Sequence, residues 1–600
     1  MSAFVPATHW FTLLVSGVGL YFAWQTARWV RHQNAGDSPI PPIALLVQYR
    51  YAIALIVVVA LILVGLSAIP EFHMTWRTAA SFLWGAITAM AAGYIAMAIV
   101  ARAADATVQA SVKPIHEALQ VAFSAGGVVG ISGSSLALLG MAVLALGFSA
   151  GVSEPLSVVS GWVGFGFGVA MIGLFACVSE GIFAVAAHLV QKPDDPAQGA
   201  PIVVATVGAM GADLFGSYVM AVIAAMVLAF LRSPTPSLAE QAYPLWVAAA
   251  GILIAIGSTG WLQMHEGATI AESLARLRST VWGASALVAV AIAVLGVFVG
   301  VAWGMIVAAL AGLLGGLGIA YLSEYYASDT YSGTHDLAAL GSDAGLVVGM
   351  QSTLAPVVVL IVVTLTAMVA GGLVGGALTS AGFYGVAIAA VGMLSVMAVH
   401  LAVNSGAKMA NNPTSVSLTN SGFSIASTFM STLALLLAFI QASGLTAVTL
   451  PFADSGVLLR VISGLMFGAG LPLSFSAQIF WGGSRVACLV ASLTDDAQRV
   501  GQVSMTSVLA EMLVPALIAT FTPILITLLA LLGKGNLLGQ LFGAETLVGA
   551  LLGALLTSFL LALIMSSAGG MWQHAKLPLN SLLRVMAMVA LLLAPLFAHY

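Results

Sequence analysis

An all-helical, polytopic membrane protein is the fold class this sequence predicts, and three observations predict it. Lys and Arg number 17 and Asp and Glu 21 in 600 residues, so 6% of positions are charged, where a soluble chain carries about 25%. Hydrophobic residues make up 61% of the chain, with a mean hydropathy of +1.09, and apolar runs long enough to span a bilayer recur from end to end. Those runs lack the alternation and aromatic girdles of a barrel, which leaves the helix as the spanning element. So little charge cannot cover a soluble surface. A soluble enzyme, a secreted disulfide scaffold and a disordered tail are thereby excluded. A formal net charge of -4 gives nucleic acid no electrostatic footprint, and Cys177 and Cys488 are too few for a disulfide framework.

Stretches of roughly 20 apolar residues are needed to cross about 30 Å of hydrocarbon as helix. Sixteen are predicted, and the connections after them can be scored for basic residues. The first, about 8–30, leads through a connection with Arg28, Arg31 and Arg50 to 50–69, and Arg77 precedes 78–101. Arg102 and Lys113 precede 117–149, which is followed by 156–190. Lys192 precedes 200–231, in a Pro193-Asp194-Asp195-Pro196 turn read as a solvated loop. Arg232 precedes 243–263, and Arg276 and Arg278 precede 281–302. The next spans are 304–326, 343–373 and 382–408, with Lys408 before 413–441 and Arg460 before 455–481. Arg485 and Arg499 precede 502–531, Lys534 precedes 545–571, and Lys576 and Arg584 are assigned to the connection into 578–598. Odd-numbered connections hold 13 basic residues and even-numbered ones 4. The expected topology is therefore a single integral, multi-pass membrane domain in a bacterial-type cytoplasmic membrane, with odd connections cytoplasmic and both termini outside. Several runs exceed 30 residues, which predicts tilted or projecting helices. The N-terminus does not read as a cleavable signal, because the first span has almost no basic leader and runs directly into more spans.

Glycine, 64 residues, is spread through the spans in small-xxx-small patterns such as Gly371-Gly372 with Gly375-Gly376. These allow close helix approach in lipid. Gly126, Gly127 and Gly130 sit inside a span with no preceding strand, so they are read as packing glycines and not as a dinucleotide fingerprint.

Four stretches resemble one family, the membrane-integral, ion-pumping pyrophosphatases. Met210-Gly211-Ala212-Asp213-Leu214-Phe215-Gly216-Ser217-Tyr218 is similar to its G-M-G-A-D-L-F-[EG]-S-Y, and Tyr321 to Ser328 with Asp329 to its Y-L-S-E-Y-Y-T-S. Gly385 to Ser395 is the third. The fourth is Ala568-Gly569-Gly570 with Trp572, Ala575 and Lys576, followed by Pro578 to Phe597. Order and span count agree over roughly residues 80–600. The resemblance implies six inner helices ringed by ten, a homodimer, and hydrolysis of pyrophosphate coupled to proton or sodium pumping. That chemistry needs several Mg²⁺ held by aspartates, further aspartates to activate water, and lysines on phosphate oxygens.

The sequence departs from the family where that chemistry resides. In the fifth span a family aspartate corresponds to His188, and the remaining acidic turn is missing before Pro193. The sixth span has Val203 to Ala209 where D-N-V-G-D-N-V-G-D is expected. In the eleventh, two aspartates correspond to Asn404 and Asn411, in the segment that also holds Lys408. In the twelfth, the G-K-G lysine falls at Ser421. In the fifteenth, W-D-N-A-K reads Trp572-Gln573-His574-Ala575-Lys576. Cys177 stands at an arginine position. Asn, Gln and neutral His cannot hold a Mg²⁺ cluster against a polyanion.

The function expected is therefore that of a catalytically inactive, pyrophosphatase-like membrane scaffold or interaction subunit, with no cofactor and no metal site. Its expected partners are the lipid bilayer, a second copy, and other membrane or cytoplasmic proteins. One alternative is a pyrophosphate-independent ion or small-molecule transporter or channel. Another, which homology alone suggests, is an ion-translocating pyrophosphatase. Asp213, mid-span, is the candidate remnant of an ion gate, although the family's acidic partner corresponds to Gly216 or Met220. His188, Asn404, Lys408, Asn411, Ser421, Gln573, His574 and Lys576 are expected to line a remodelled cytoplasmic funnel. Glu324 and Asp329 are expected to cap and support a helix end. Glu180, His400 and Glu511 are further polar residues at or within spans, and Glu180 and His188, two turns apart, share a helix face.

Overall fold

The computed structural model describes residues 4–33, 50–109, 115–148, 155–190, 199–232, 237–259, 270–327, 342–375, 380–409, 416–445, 455–492, 507–508, 510–533, 541–568, 572 and 574–598. No strand occurs among them. The chain folds in order into α1 (Phe4–Gln33), α2 (Arg50–Leu66), α3 (Trp76–Gln109), α4 (Ile115–Phe148), α5 (Pro155–Val190) and α6 (Gly199–Arg232). There follow α7 (Leu238–Thr259), α8 (Ile270–Val299), α9 (Trp303–Ala327), α10 (Ser342–Gly375), α11 (Ser380–Leu394) and α12 (Met397–Met409). The last third holds α13 (Val416–Ala442), α14 (Ser455–Ala491), α15 (Leu513–Leu532), α16 (Ala544–Ala568), α17 (Lys576–Leu593) and the short α18 (Pro595–Ala598).

Thirteen of these helices are long and apolar enough to cross a membrane, and α11 with α12 makes a fourteenth span if the bent pair is taken as one. Each of the sixteen predicted stretches contains helix. Two fall short as spans, however: α1 is not among those thirteen, and α2, at 17 residues, is about 26 Å long against about 30 Å of hydrocarbon. The long runs are long helices, 36 residues in α5 and 37 in α14, so α14 extends for roughly 55 Å.

Burial sorts the helices. The apolar window of α17 is 94% buried and that of α6 89%, against 22% for α14 and 28% for α8. Every residue of α11 after its first is buried. Helix α6 lies in the middle, in contact with α3, α4, α5, α7, α11, α12, α13 and α17. The peripheral helices keep large apolar side chains exposed, among them Val297, Phe298 and Met466, a surface suited to lipid.

Small residues set the contacts. A Cβ on Gly126 or Gly130 of α4 would overlap the carbonyl oxygens of Ala402 and Ala398 on α12, so these are packing glycines. Gly371 meets the Ala381 carbonyl in the same way, and Gly385 meets that of Ala367. The closest reciprocal example joins α14 and α16. There Gly464 and Gly468 abut the backbone of Thr546 and Ala550, and Gly549 and Gly553 abut Val461 and Leu465. Dispersion between closely apposed backbones replaces a hydrophobic drive that lipid does not supply.

The eleventh predicted span is broken, with α11 and α12 inclined by 41°. Ser395 at the break donates its hydroxyl to the Gly392 carbonyl at 2.6 Å, and Gly251 of α7 lets the helices close on the Ser395 carbonyl. A side chain competing for a ladder carbonyl is a recognised cause of such bends.

Candidate functional site

Asp213 is fully buried in the middle of α6. An ionised carboxylate there needs a counter-charge and full hydrogen bonding, and the structure supplies both. Arg584 of α17, 1% exposed, places Nη2 on Asp213 Oδ1. Its Nη1 donates to the Asp213 carbonyl at 2.6 Å, and its Nε donates to the Asn580 carbonyl at 3.2 Å. The other carboxylate oxygen accepts from Ser424 Oγ of α13 at 2.5 Å and from Asn580 Nδ2 at 3.3 Å. One turn further, Ser217 and Thr428 share a hydroxyl hydrogen bond at 3.0 Å.

Gly216 makes this arrangement sterically possible. A Cβ at that position would overlap Arg584 Nη1, so the guanidinium occupies the side-chain space that glycine vacates. The structure overturns the assignment of Arg584 to a connection. It lies inside α17 and is bonded on three sides, so it does not belong in the tally of connection charges. An ionisable residue within an apolar run of about 20 is the sequence signal that identifies it.

A second polar cluster lies seven residues earlier on α6. Thr206 donates to Glu180 Oε1 of α5 at 2.9 Å, and His574 Nδ1 lies 2.6 Å from the same oxygen. Glu180 is 2% exposed and His574 5%. The Oε2 atom of Glu180 is buried with no hydrogen-bond partner among the described residues. His188, exposed near the end of α5, sets its ring 5.4 Å from that of His574, which agrees with the shared helix face expected of Glu180 and His188. Gly181 admits the first turn of α17, since a Cβ there would lie 2.9 Å from Pro578 Cγ.

Other predicted residues are placed differently. Asn404 of α12 is buried and reaches Met210 Sδ of α6 at 3.8 Å, while its Oδ1 has no partner among the described residues. Lys576 is partly exposed and donates to Ser566 Oγ at 3.4 Å. His400 stacks on Phe423, with ring centroids 4.1 Å apart. Glu511 pairs with Arg485 at 2.8 Å, and Cys177 is buried with Sγ directed at the Ala209 carbonyl at 3.7 Å. The side chains of Glu324, Lys408, Ser421 and Gln573, and residues Asp329 and Asn411, lie outside the described residues, as do Asp194 and Asp195.

Helix α6 therefore presents Thr206 to α5, Met210 to α12, and Asp213 to α13 and α17. Across α5, α6, α11, α12, α13 and α17 the carboxylates are Glu180 and Asp213, each already engaged by a basic side chain. Among the described residues no three His, Cys, Asp or Glu stand close enough to hold a metal ion. Sequence reasoning selected Asp213 but missed Arg584, Asn580, Ser424 and Thr206.

The family model described as inorganic H+ pyrophosphatase matches residues 18–418 and 414–582. A K(+)-insensitive pyrophosphate-energized proton pump of Methanosarcina mazei is 30% identical over 94% of this chain and 90% of its own length. A putative K(+)-stimulated pyrophosphate-energized sodium pump of Clostridium tetani is 28% identical over 94% and 89%. A K(+)-stimulated pyrophosphate-energized sodium pump of Thermotoga maritima is 27% identical over 84% and 81%.

Proposed function

Since this chain belongs to the inorganic H+ pyrophosphatase family, we propose that it is a member that has kept the membrane core and lost hydrolysis. It then serves as a membrane scaffold or interaction subunit. The donor set carries this reading. Several Mg²⁺ on a polyanion need a convergence of free carboxylates, whereas Glu180 is taken by His574 and Thr206, and Asp213 by Arg584, Ser424 and Asn580. The positions matching the family's ligands carry His188, Asn404, Asn411 and Gln573. These residues do not fit the metal cluster that the family's reaction requires.

A second reading, an ion-translocating pyrophosphatase, is the one the comparisons favour, because the relatives that span most of the chain are named as pyrophosphate-energized pumps. One assay separates the two. Purified protein in lipid is expected to release no phosphate from magnesium pyrophosphate above a protein-free control. Release that disappears on substituting Asn404 or Asn411 would sink the first reading and establish the second. The pyrophosphate-independent transporter remains as the alternative in which Asp213 and the remodelled funnel conduct. Flux through liposomes that is lost in Asp213→Ala would support it over the scaffold.

Family membership also supports the finer architecture: one membrane domain of sixteen spans, six of them inner, paired as a homodimer, with both termini outside. Labelling of single cysteines introduced into odd- and even-numbered connections tests the orientation, and cross-linking in native membranes tests the dimer.

A further inference from the structure

The Asp213 cluster is fully satisfied, but the Glu180 cluster is not. Its carboxylate is buried, receives two partners on Oε1, and leaves Oε2 without one among the described residues. A buried carboxylate oxygen 2.6 Å from an imidazole nitrogen is placed so that one added proton can be held between the two groups, as carboxylic acid and neutral imidazole or as carboxylate and imidazolium. His574 bonds Glu180 through Nδ1, which directs Nε2 to the other side of the ring. An imidazole held this way can accept a proton at one nitrogen while releasing one from the other. His188 lies beside it and is exposed, so the cluster runs from water to a buried acid within three side chains.

We propose that Glu180, His574 and His188 form a proton-binding site at the end of α5, loaded from the aqueous mouth. A hydronium gives its proton to His188, which passes it to His574 Nε2. The Nδ1 proton of His574 then moves onto Glu180 Oε1, and the site has gained one proton with no other bond changed. Inward of it lie Cys177, whose Sγ is directed at the Ala209 carbonyl, and then the Arg584–Asp213 pair. The helices packed most extensively against α5 carry Arg77, Tyr94, Arg102 and Asp105 on α3, Asp213, Tyr218 and Arg232 on α6, Arg460, Cys488 and Arg485 with its partner Glu511 on and beside α14, and Lys576 and Arg584 on α17, while α5 itself carries Cys177. The site is independent of whether pyrophosphate is hydrolysed.

Infrared difference spectroscopy of the full-length protein in nanodiscs, titrated between acid and alkaline pH in water and in D₂O, tests this. The expected result is a carboxyl band that responds to pH, is absent in Glu180→Gln, and has its midpoint displaced in His574→Ala. Thr206→Val leaves the imidazole in place and is expected to shift the frequency of the same band, a reading that stands even if Glu180→Gln fails to fold. His188→Ala is expected to slow deuterium exchange of the band several-fold. A titration with no band assignable to Glu180, a midpoint unchanged in His574→Ala, or exchange unchanged in His188→Ala would overturn the proposal. Phosphate release plays no part in this measurement, so its failure is distinct from failure of the non-hydrolytic reading.

Discussion

Arg584 and Asp213 hold opposite charges with almost no access to solvent, so each is tolerable only because of the other. Arg584→Leu is expected to destabilise the protein by about 3–5 kcal/mol, the cost of leaving one buried charge unpaired, read as a lowered thermal midpoint in detergent. Replacing both residues with leucine is expected to recover most of that loss, because the remaining groups no longer face an uncompensated charge. Gly216→Val tests the steric half of the same contact. Its side chain would overlap the guanidinium, and an overpacked core costs about 1–3 kcal/mol, so its midpoint should fall below that of wild type. A midpoint equal to wild type for Gly216→Val would mean that Arg584 sits elsewhere. Asp213 was legible in sequence because a carboxylate inside an apolar run is costly. The same rule applied to Arg584, which a tally of connection charges had absorbed, since a one-dimensional count cannot see that position 584 faces position 213.

Individual helices were read well, their terminations and partners less so. Among the described residues each long helix coincides with an apolar run, because a backbone in lipid must satisfy its own hydrogen bonds. The bend between α11 and α12 was not foreseen, because it depends on the Ser395 hydroxyl and on the approach of Gly251 from a distant helix. Gly126 and Gly130 were read correctly as packing residues, although only the structure identifies α12 as the surface they meet. Gly130→Leu is expected to force α4 away from the Ala398 carbonyl and to lower the thermal midpoint. Gly133→Leu, at a position with open space around its Cβ, should leave the midpoint near wild type. Equal losses in both variants would show that helix propensity, and not the close approach, decides.

On the scale of the whole molecule, the scarcity of charge means two things. Most of it reflects immersion in lipid, since the peripheral helices expose apolar side chains where a soluble protein would expose Lys and Glu. The remainder concerns the interior, where α5, α6, α11, α12, α13 and α17 together carry two carboxylates, Glu180 and Asp213. The close small-residue contacts between helices, taken with the proposed loss of the hydrolytic site, predict that the fold survives without substrate. Magnesium pyrophosphate is therefore expected to leave the thermal midpoint unchanged. A midpoint that rises with its concentration would indicate binding to the native state and would favour the pump reading.

The sequence by itself determined the membrane environment, the helical class and the family resemblance, because these depend on composition and on residue order along single helices. Tertiary structure decided which polar groups neutralise one another: Arg584 with Asp213, and His574 and Thr206 with Glu180. Those partners are separated by 371, 394 and 26 residues. Their meeting is set by helix packing around α6, and no periodicity within one helix encodes it.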